Sequence, residues 1–141
     1  MSYDFETKLE DAIIAYLGAN ITTPVLTWST KKINLSPVIL VQADEANVET
    51  GTWNTGAGIR MNVQISAFTS TKRDKNSRIA NAARAEARSF MSSSTIVTDL
   101  NALMSGLQIY ENGVIPTTGF NSTDGLDNNR GFNVEIVVVP I

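Results

Sequence analysis

Two stretches of this sequence contain residue types that could hold a ligand. Residues 51–58 include three glycines, but no lysine stands at the spacing of a phosphate-binding loop and no helix is predicted after them. Residues 124–129 offer carboxylate and amide oxygens, but they do not follow the ligand order of an EF-hand calcium loop. We interpret the first stretch as a hairpin tip, and we expect neither a metal ion nor a cofactor.

The residue types needed for most enzymatic chemistry are also missing. The chain has no histidine and no cysteine, which removes the commonest general base, the thiolate nucleophile and the usual zinc ligands. No serine, lysine or aspartate stands in a recognisable catalytic motif. The sequence therefore predicts a protein that is not an enzyme.

The clearest charge pattern is a basic cluster between positions 72 and 88, which holds six of the 11 lysines and arginines and is interrupted only by Asp74 and Glu86. It could be a solvated helix face, a contact with acidic loops of a neighbouring subunit, or a positive surface near a passing polyanion. No aromatic residues are interleaved with it, so a monomeric nucleic-acid reader is not favoured. The cluster comprises Lys72, Arg73, Lys75, Arg78, Arg84 and Arg88.

A strand followed by a helix must position this cluster. Polar and apolar residues alternate strictly over 60–68, which predicts a half-buried strand with Val63 and Ile65 facing the core. The residues after position 76 carry an apolar stripe at helical spacing, which predicts a core helix with Arg84 and Arg88 on its outward face. The stripe consists of Ile79, Ala82, Ala83, Ala87, Phe90 and Met91.

Three more elements are predicted before this unit. Residues 4–17 carry apolar side chains at the spacing of one helix face, which predicts a helix. Gly18 is expected to end this helix. Residues 21–29 fit an edge strand or an extended arm, because a proline near their start is poorly tolerated inside a sheet. Residues 37–42 are rich in β-branched side chains and predict a central strand buried on both faces.

A long hairpin is predicted to lead into the alternating strand. Its arms are expected at 47–53 and 59–68, and its glycine-containing tip at 54–58. Trp53 lies beside that tip and is either a core residue or an exposed anchor for a neighbour.

The C-terminal third is predicted to contain a short helix, a second hairpin, a loop and a strand. The helix is expected at 98–105, and a hairpin over 107–115 is expected to turn at the Asn-Gly pair 112–113. The polar residues 117–131 predict a long loop. Residues 132–139 alternate and predict the terminal strand.

Composition is typical of one globular domain, 1–141. Only 18% of the residues are charged, and the net charge of −3 argues against a generally basic nucleic-acid binder. The first residues lack the pattern of a signal peptide, and no apolar run is long enough to span a membrane. We expect a soluble protein, made in the cytoplasm, without a membrane partner.

The order of these elements resembles that of the tail-terminator and tail-completion proteins of tailed bacteriophages, the minor tail proteins that join the tail to the head. The likeness covers nearly the whole chain and is a pattern of elements, not a signature motif. It is carried by residues 36–41, 60–68, 77–84 and 130–136.

The resemblance implies an α/β (α+β) fold, with a mostly antiparallel sheet of about four to five strands, two main helices packed on one face, and long loops. It also implies a structural virion protein that forms a homo-oligomer, in this family a hexameric ring, at the head-proximal end of the tail. The ring would end tube polymerisation and provide the joint to the head connector. Its partners would be the tail tube protein, connector or neck proteins and, as a further candidate, the tail sheath, while DNA would only pass through the lumen.

A ring needs complementary surfaces on neighbouring subunits. The basic cluster is one candidate for such a surface. The other candidate interface residues are Trp53 and the acidic residues Asp44, Glu45, Glu49, Asp124 and Asp127.

Two other classes of function stay open at this stage. One is another structural phage protein, such as a head-closure or neck component or a tail-tube subunit. The other is a small-ligand-binding or enzymatic α/β domain, which saturable stabilisation by a ligand would reveal.

Overall fold

The computed structural model describes residues 5–28, 36–49, 58–123 and 126–140. They form one five-stranded sheet with three helices packed on one face, so the predicted α+β class and its two main helices are confirmed. The elements are α1 (Phe5–Asn20), β1 (Val25–Thr27), β2 (Val38–Glu49), β3 (Gly58–Ser70), α2 (Arg78–Met91), α3 (Ile96–Asn101), β4 (Leu107–Thr123) and β5 (Asp127–Pro140).

The sheet is built from two long hairpins placed side by side. Its strand order is β1-β2-β3-β5-β4, so β2–β3 and β4–β5 are the hairpins and the β3–β5 pair joins them. These pairs are all antiparallel, and only the short edge strand β1 runs parallel to its neighbour. The helices cover one face, which we call the helix face, and we call the other the open face.

The alternation in β3 and β5 places the core as predicted. Val63 and Ile65 are almost completely buried on the helix face, where they pair with Val134 and Phe132 of β5. The polar residues between them, such as Gln64, lie on the open face. The core residues that β3 and β5 contribute are Met61, Val63, Ile65, Ala67, Phe132, Val134, Ile136 and Val138.

The predicted N-terminal helix is confirmed, but its end is not at Gly18. The helix continues to Asn20, whose side-chain amide donates to the Tyr16 carbonyl oxygen at 2.7 Å. The Ile21 N–H donates to the Leu17 carbonyl oxygen at 2.9 Å, and the Ile21 side chain is buried. Carbonyl groups in the last turn therefore have hydrogen-bond donors, and the buried Ile21 side chain holds the chain in place beyond Gly18. For this reason the helix does not end at the glycine.

The strand predicted at 37–42 and the first residues, 47–49, of the predicted hairpin arm belong to one strand, β2. The rest of that arm, 50–53, lies outside the described residues. β2 pairs with β3 along its whole length, with a register shift between Glu45 and Asn47. Four consecutive residues from Val38 to Val41 are at most 5% exposed, so burial on both faces is confirmed there. The tip predicted at 54–58 lies outside the described residues up to position 57.

Two predictions for the C-terminal third are wrong. Asn112 and Gly113 do not reverse the chain, because Ile109 and Val114 both pair with β5 and the pairing continues in one direction. The extra residues between them form a bulge in β4. An Asn-Gly pair is compatible with a bulge as well as with a turn. The segment 117–131 is not a loop, since β4 extends to Thr123 and β5 begins at Asp127. One face of this hairpin is exposed to solvent, so polar residues alternate along its strands. Its composition therefore resembles that of a loop.

The buried stripe of α2 is rotated from the predicted one. Ala83, Ala87 and Met91 are buried as predicted, but Ile79 is 45% exposed and Ala80 is buried instead. Ala82 is exposed and Phe90 is half-buried. This rotation of α2 follows from the way the helix begins.

The short helix α3 begins earlier than predicted, at Ile96, which is buried together with Leu100. The N-cap residue is therefore Thr95 and not the predicted Thr98, and the Thr95 hydroxyl donates to the Asp99 carboxylate at 2.9 Å. Asn101 at its end accepts the Ile109 N–H at 2.7 Å and ties the helix to β4. No helix among the described residues is long and apolar enough to cross a membrane.

Substituting the centre of β3 should test the assignment of its apolar face. Val63→Asp or Ile65→Asp would bury a carboxylate without a partner, and we expect each to unfold the protein or destabilise it by about 4 kcal/mol or more. The matched control is Asn62→Asp, because Asn62 is exposed on the open face of the same strand. Urea unfolding followed by circular dichroism measures all three, and unchanged midpoints for the two core variants would contradict the assignment.

Candidate functional site

Arg84 and Arg88 of the basic cluster do not point away from the protein, as the sequence predicted. Arg84 Nη1 donates to the Phe120 carbonyl oxygen at 3.1 Å and to Oδ1 of Asn121 at 2.7 Å, both on β4. The Arg88 guanidinium carbon lies 5.7 Å from the centroid of the Phe132 ring on β5. Both side chains are half-buried. They therefore lie along the sheet, with their stems covered and their charged ends at the side of the helix.

The rotation of α2 explains this orientation. The buried line of the helix passes through Ala80 and Ala87. Arg84 lies four residues after Ala80 and three residues before Ala87, about one turn from each. At helical spacing it belongs to the edge of the buried face. Alanine side chains let the helix lie close to the sheet, so long arginine side chains on that edge can reach the backbone of β4.

A bulge in β4 brings Gly119 and Asn121 beneath these arginines. Pro116 pairs with Val134 and Gly119 with Phe132, so β4 contains one residue more than β5 in this interval. An extra residue reverses which face the following side chains occupy. As a result Gly119 and Asn121 lie on the helix face, and Phe120 lies on the open face.

Gly119 leaves a space between the two guanidinium groups. A Cβ atom at this position would lie 3.3 Å from the Gly131 carbonyl oxygen, 3.4 Å from Arg84 Nη1 and 3.6 Å from Arg88 Nη1. Both nitrogens are therefore close to one point that no side chain of residue 119 fills. We call the space bounded by Arg84, Arg88 and Gly119 the arginine recess.

Arg130 of β5 adds a third positive charge beside the recess. Its guanidinium donates to Oγ of Ser77 at 2.8 Å and to the Ser122 carbonyl oxygen at 3.0 Å. The pKa of Arg84 is lowered by burial and, to a smaller extent, by the charges of Arg130 and Arg88. Among the described residues no carboxylate pairs with any of these three arginines. Their positive charge is therefore not neutralised within the described part of the chain.

The other four residues of the basic cluster form a separate group. Lys72, Arg73 and Lys75 lie in the turn between β3 and α2, and Arg78 is the first residue of α2. All four are exposed. The structure thus divides the predicted cluster into an exposed basic turn and the half-buried pair of the recess, which Arg130 joins. Sequence reasoning missed Arg130, because it lies 42 positions after Arg88.

The predicted acidic partners lie elsewhere in the fold. Asp44 is exposed on β2 and pairs with Asn62, which places it on the open face, opposite the recess. Asp127 is the first residue of β5, across from Ser70 and so close to the basic turn of its own chain. Glu45 and Glu49 belong to β2, but their side chains are not described. Trp53 and Asp124 lie outside the described residues.

The carboxylate of Asp74, which the sequence offered only as an interruption of the basic cluster, fixes the start of α2. Ser77 precedes the helix with φ of 59° and makes no capping hydrogen bond. Asp74 accepts the N–H groups of Ile79 at 3.1 Å and Ala80 at 3.0 Å in its place. It also accepts the Thr69 hydroxyl at 2.7 Å and is only 4% exposed. Asp74 thus acts as the N-cap from three residues upstream.

Asn128 ties this cap to β5. Its side-chain amide donates to the Asp74 carbonyl oxygen at 2.7 Å and to Oγ1 of Thr69 at 3.3 Å. Asn128 pairs with Thr69 across the β3–β5 pair and is almost completely buried. The buried network joins β3, α2 and β5, and it therefore holds the two arginines of α2 over the sheet.

A second recess on the helix face is a groove between α1, the end of α2 and α3, lined in part by Tyr16, Phe90 and Leu103. The Tyr16 hydroxyl donates to the Phe90 carbonyl oxygen at 2.9 Å. Its pKa is raised by burial and by the nearby charge of Asp99. No cluster of metal-ligating side chains occurs among the described residues.

Within the described residues, much of the open face is covered only by side chains of its own strands and of Trp28. A Cβ at Gly131 would overlap the Phe120 ring and would lie 2.8 Å from Oγ of Ser66, so Gly131 gives the ring room to lie across β5. Trp28 packs edge-on against Phe68 with ring centroids 5.5 Å apart. Farther along β4, Ile115 is 53% exposed. This face thus combines polar positions with apolar surface.

Sequence comparisons place the chain in no known group: it matches no protein-family model and no curated protein.

Removing the Asp74 carboxylate should loosen α2. Burial raises the pKa of Asp74, but the hydrogen bonds from Thr69 and from backbone N–H groups outweigh it, so the pKa lies below its ordinary value of 3.8. The stability that this carboxylate contributes is therefore complete above that value and is lost as the pH falls through the lower, folded-state pKa. Asp74→Ala should cost about 2 kcal/mol near neutral pH, because a cap is lost and buried donors are left without partners.

The control is Asp11→Asn, which changes an exposed carboxylate on α1. Unfolding free energies measured from pH 2 to pH 7 should show a smaller acid-induced loss for Asp74→Ala than for the parent and for Asp11→Asn. Equal pH dependence in all three proteins would mean that the Asp74 network does not hold the helix.

Proposed function

We propose that this protein is a structural virion protein of a tailed bacteriophage, which assembles as a ring, in the simplest case of six copies, on the head-proximal end of the tail tube. The ring would stop tube polymerisation and present a surface to the head connector. It would be made in the host cytoplasm and act in the virion. The resemblance in element order, from the first helix to the terminal strand, supports this proposal.

The observation that carries the proposal is the two-sided character of the sheet. All three described helices cover one face. The open face carries half-buried Phe68, Phe120 and Val137, and exposed Leu26 and Ile115 at its two edges. Apolar surface of this kind, rimmed by polar positions, is typical of a contact with another protein.

The hairpins supply a second feature expected of a joining protein. β2 and β3 pair from Val38 to Glu49, and β4 and β5 pair out to Thr123, so both hairpins are long for a domain of this size. Long hairpins provide contact area beyond the core of the subunit. Contacts with a tube on one side and a connector on the other both require such area.

A capping assay tests the function directly. Purified protein mixed with tail tubes should bind at one tube end and stop further growth, as seen by negative-stain electron microscopy and by cosedimentation. A neck protein would bind heads or connectors and leave tube growth unchanged, and a tube subunit would form tubes itself. A monomer that never associates with tubes, heads or itself would overturn the proposal.

Two variants locate the contact. Ile115→Glu places a charge on the exposed apolar edge of the open face, and we expect it to weaken association about tenfold or more, because an apolar contact is replaced by a desolvated charge. Leu103→Glu is the matched control, since Leu103 is 49% exposed on the helix side. Sedimentation of both variants compares the two faces, and equal association would contradict the role of the open face.

A further inference from the structure

The arginine recess is an unusual arrangement for a chain with net charge −3. Arg84 and Arg88 are held on the sheet by contacts with β4 and β5, and their Nη1 atoms approach one point above Gly119. Because both nitrogens lie within 3.6 Å of that point, they can be no more than about twice that distance apart. Like charges at such a separation repel each other.

The repulsion is not relieved by carboxylates in the described part of the chain. Arg84 is bonded only to neutral oxygen atoms, those of Phe120, Asn121 and Asn81. Arg88 contacts the face of an aromatic ring, which leaves its N–H groups available to a further partner. Arg130 adds a positive charge nearby without occupying the recess.

We propose that Arg84 and Arg88 form a binding site for one oxyanion group, a carboxylate or a phosphate, above Gly119. Two guanidinium groups that converge on one point match the geometry of such a group and bind it with charge-assisted hydrogen bonds. Glycine at position 119 keeps side-chain atoms out of the space between the two nitrogens. Because a Cβ at this position would lie 3.4 Å from one Nη1 and 3.6 Å from the other, the two nitrogens are at most about 7 Å apart, a separation that one oxyanion group can bridge.

The source that the structure favours is a carboxylate of a second copy of this chain, and this step rests on the proposed ring. Asp44 is an exposed acid on the open face. It cannot reach the recess of its own chain, because the sheet lies between them. A contact between Asp44 of one copy and the recess of the next would join unlike faces, and such head-to-tail contacts are the kind that close into rings. A free phosphate ion is the other source.

The binding site itself is tested on the isolated protein, independently of any ring. Thermal unfolding is measured in sodium phosphate and in sodium chloride at equal ionic strength, for the parent, Arg88→Gln and Arg78→Gln. Arg78 is the matched control, since it carries the same charge on the same helix and is exposed away from the recess.

We expect phosphate to raise the unfolding midpoint of the parent and of Arg78→Gln by about 3 to 6 °C, at a concentration about ten times its dissociation constant. The rise should be saturable and should be lost in Arg88→Gln. Gly119→Ala, which fills the recess and keeps both charges, should lose it as well. An equal response of Arg88→Gln and Arg78→Gln to phosphate would overturn the site, because phosphate also stabilises proteins nonspecifically.

The source of the anion is tested by charge exchange in the assembly assay. Arg88→Glu and Asp44→Arg should each weaken association, and the double variant should restore it. If phosphate binds specifically but Asp44→Arg assembles normally, the oxyanion site stands with a free ion as its ligand, and the contact through Asp44 is rejected. If the parent does not assemble at all, the ring fails, while the phosphate measurement still decides the site.

Discussion

The buried carboxylate of Asp74 is the constraint on which the arrangement of the helix face depends. Ser77 adopts a left-handed conformation and cannot cap α2, so the first N–H groups of the helix depend on Asp74. Asn128 holds the backbone of the same residue to β5. The start and the rotation of the helix are thereby fixed together. That rotation places a line of alanines against the sheet and brings Arg84 over β4, so the buried acid that caps the helix helps to place the recess.

A second constraint comes from the one-residue bulge in β4. Without it, the residues after Pro116 would face the opposite way, and Phe120 would enter the helix face in place of Asn121. The bulge instead gives the helix face a glycine and an asparagine, and it gives the open face an aromatic ring. Gly131 completes the arrangement, because its missing side chain lets the Phe120 ring lie across β5. One inserted residue therefore shapes both surfaces of the sheet.

The sequence predicted the fold class and the core strands because period-two alternation in β3 and β5 is decided by local residue order. It failed wherever long-range partners decide the outcome. Gly18 stays within a helix because Ile21 is anchored in the core, and Asn112–Gly113 becomes a bulge because β5 offers a continuous partner. The recess could not be predicted, since Arg84 and Gly119 meet only through the β4–β5 hairpin. The apolar spacing of α2 also favoured Ile79 over Ala80, because no local signal showed that Asp74 was the cap.

The two faces of the sheet differ in chemistry in a way that bears on assembly. The helix face presents a half-buried positive recess at the side of α2, whereas the open face presents Asp44 and the apolar edge at Ile115. A contact between two recesses would bring like charges together, which costs free energy. Contacts between unlike faces bring opposite charges together, and they are heterologous, so they generate a ring when the rotation closes and a filament when it does not. In the ring that we propose, these two surfaces would meet head to tail and not as an isologous dimer.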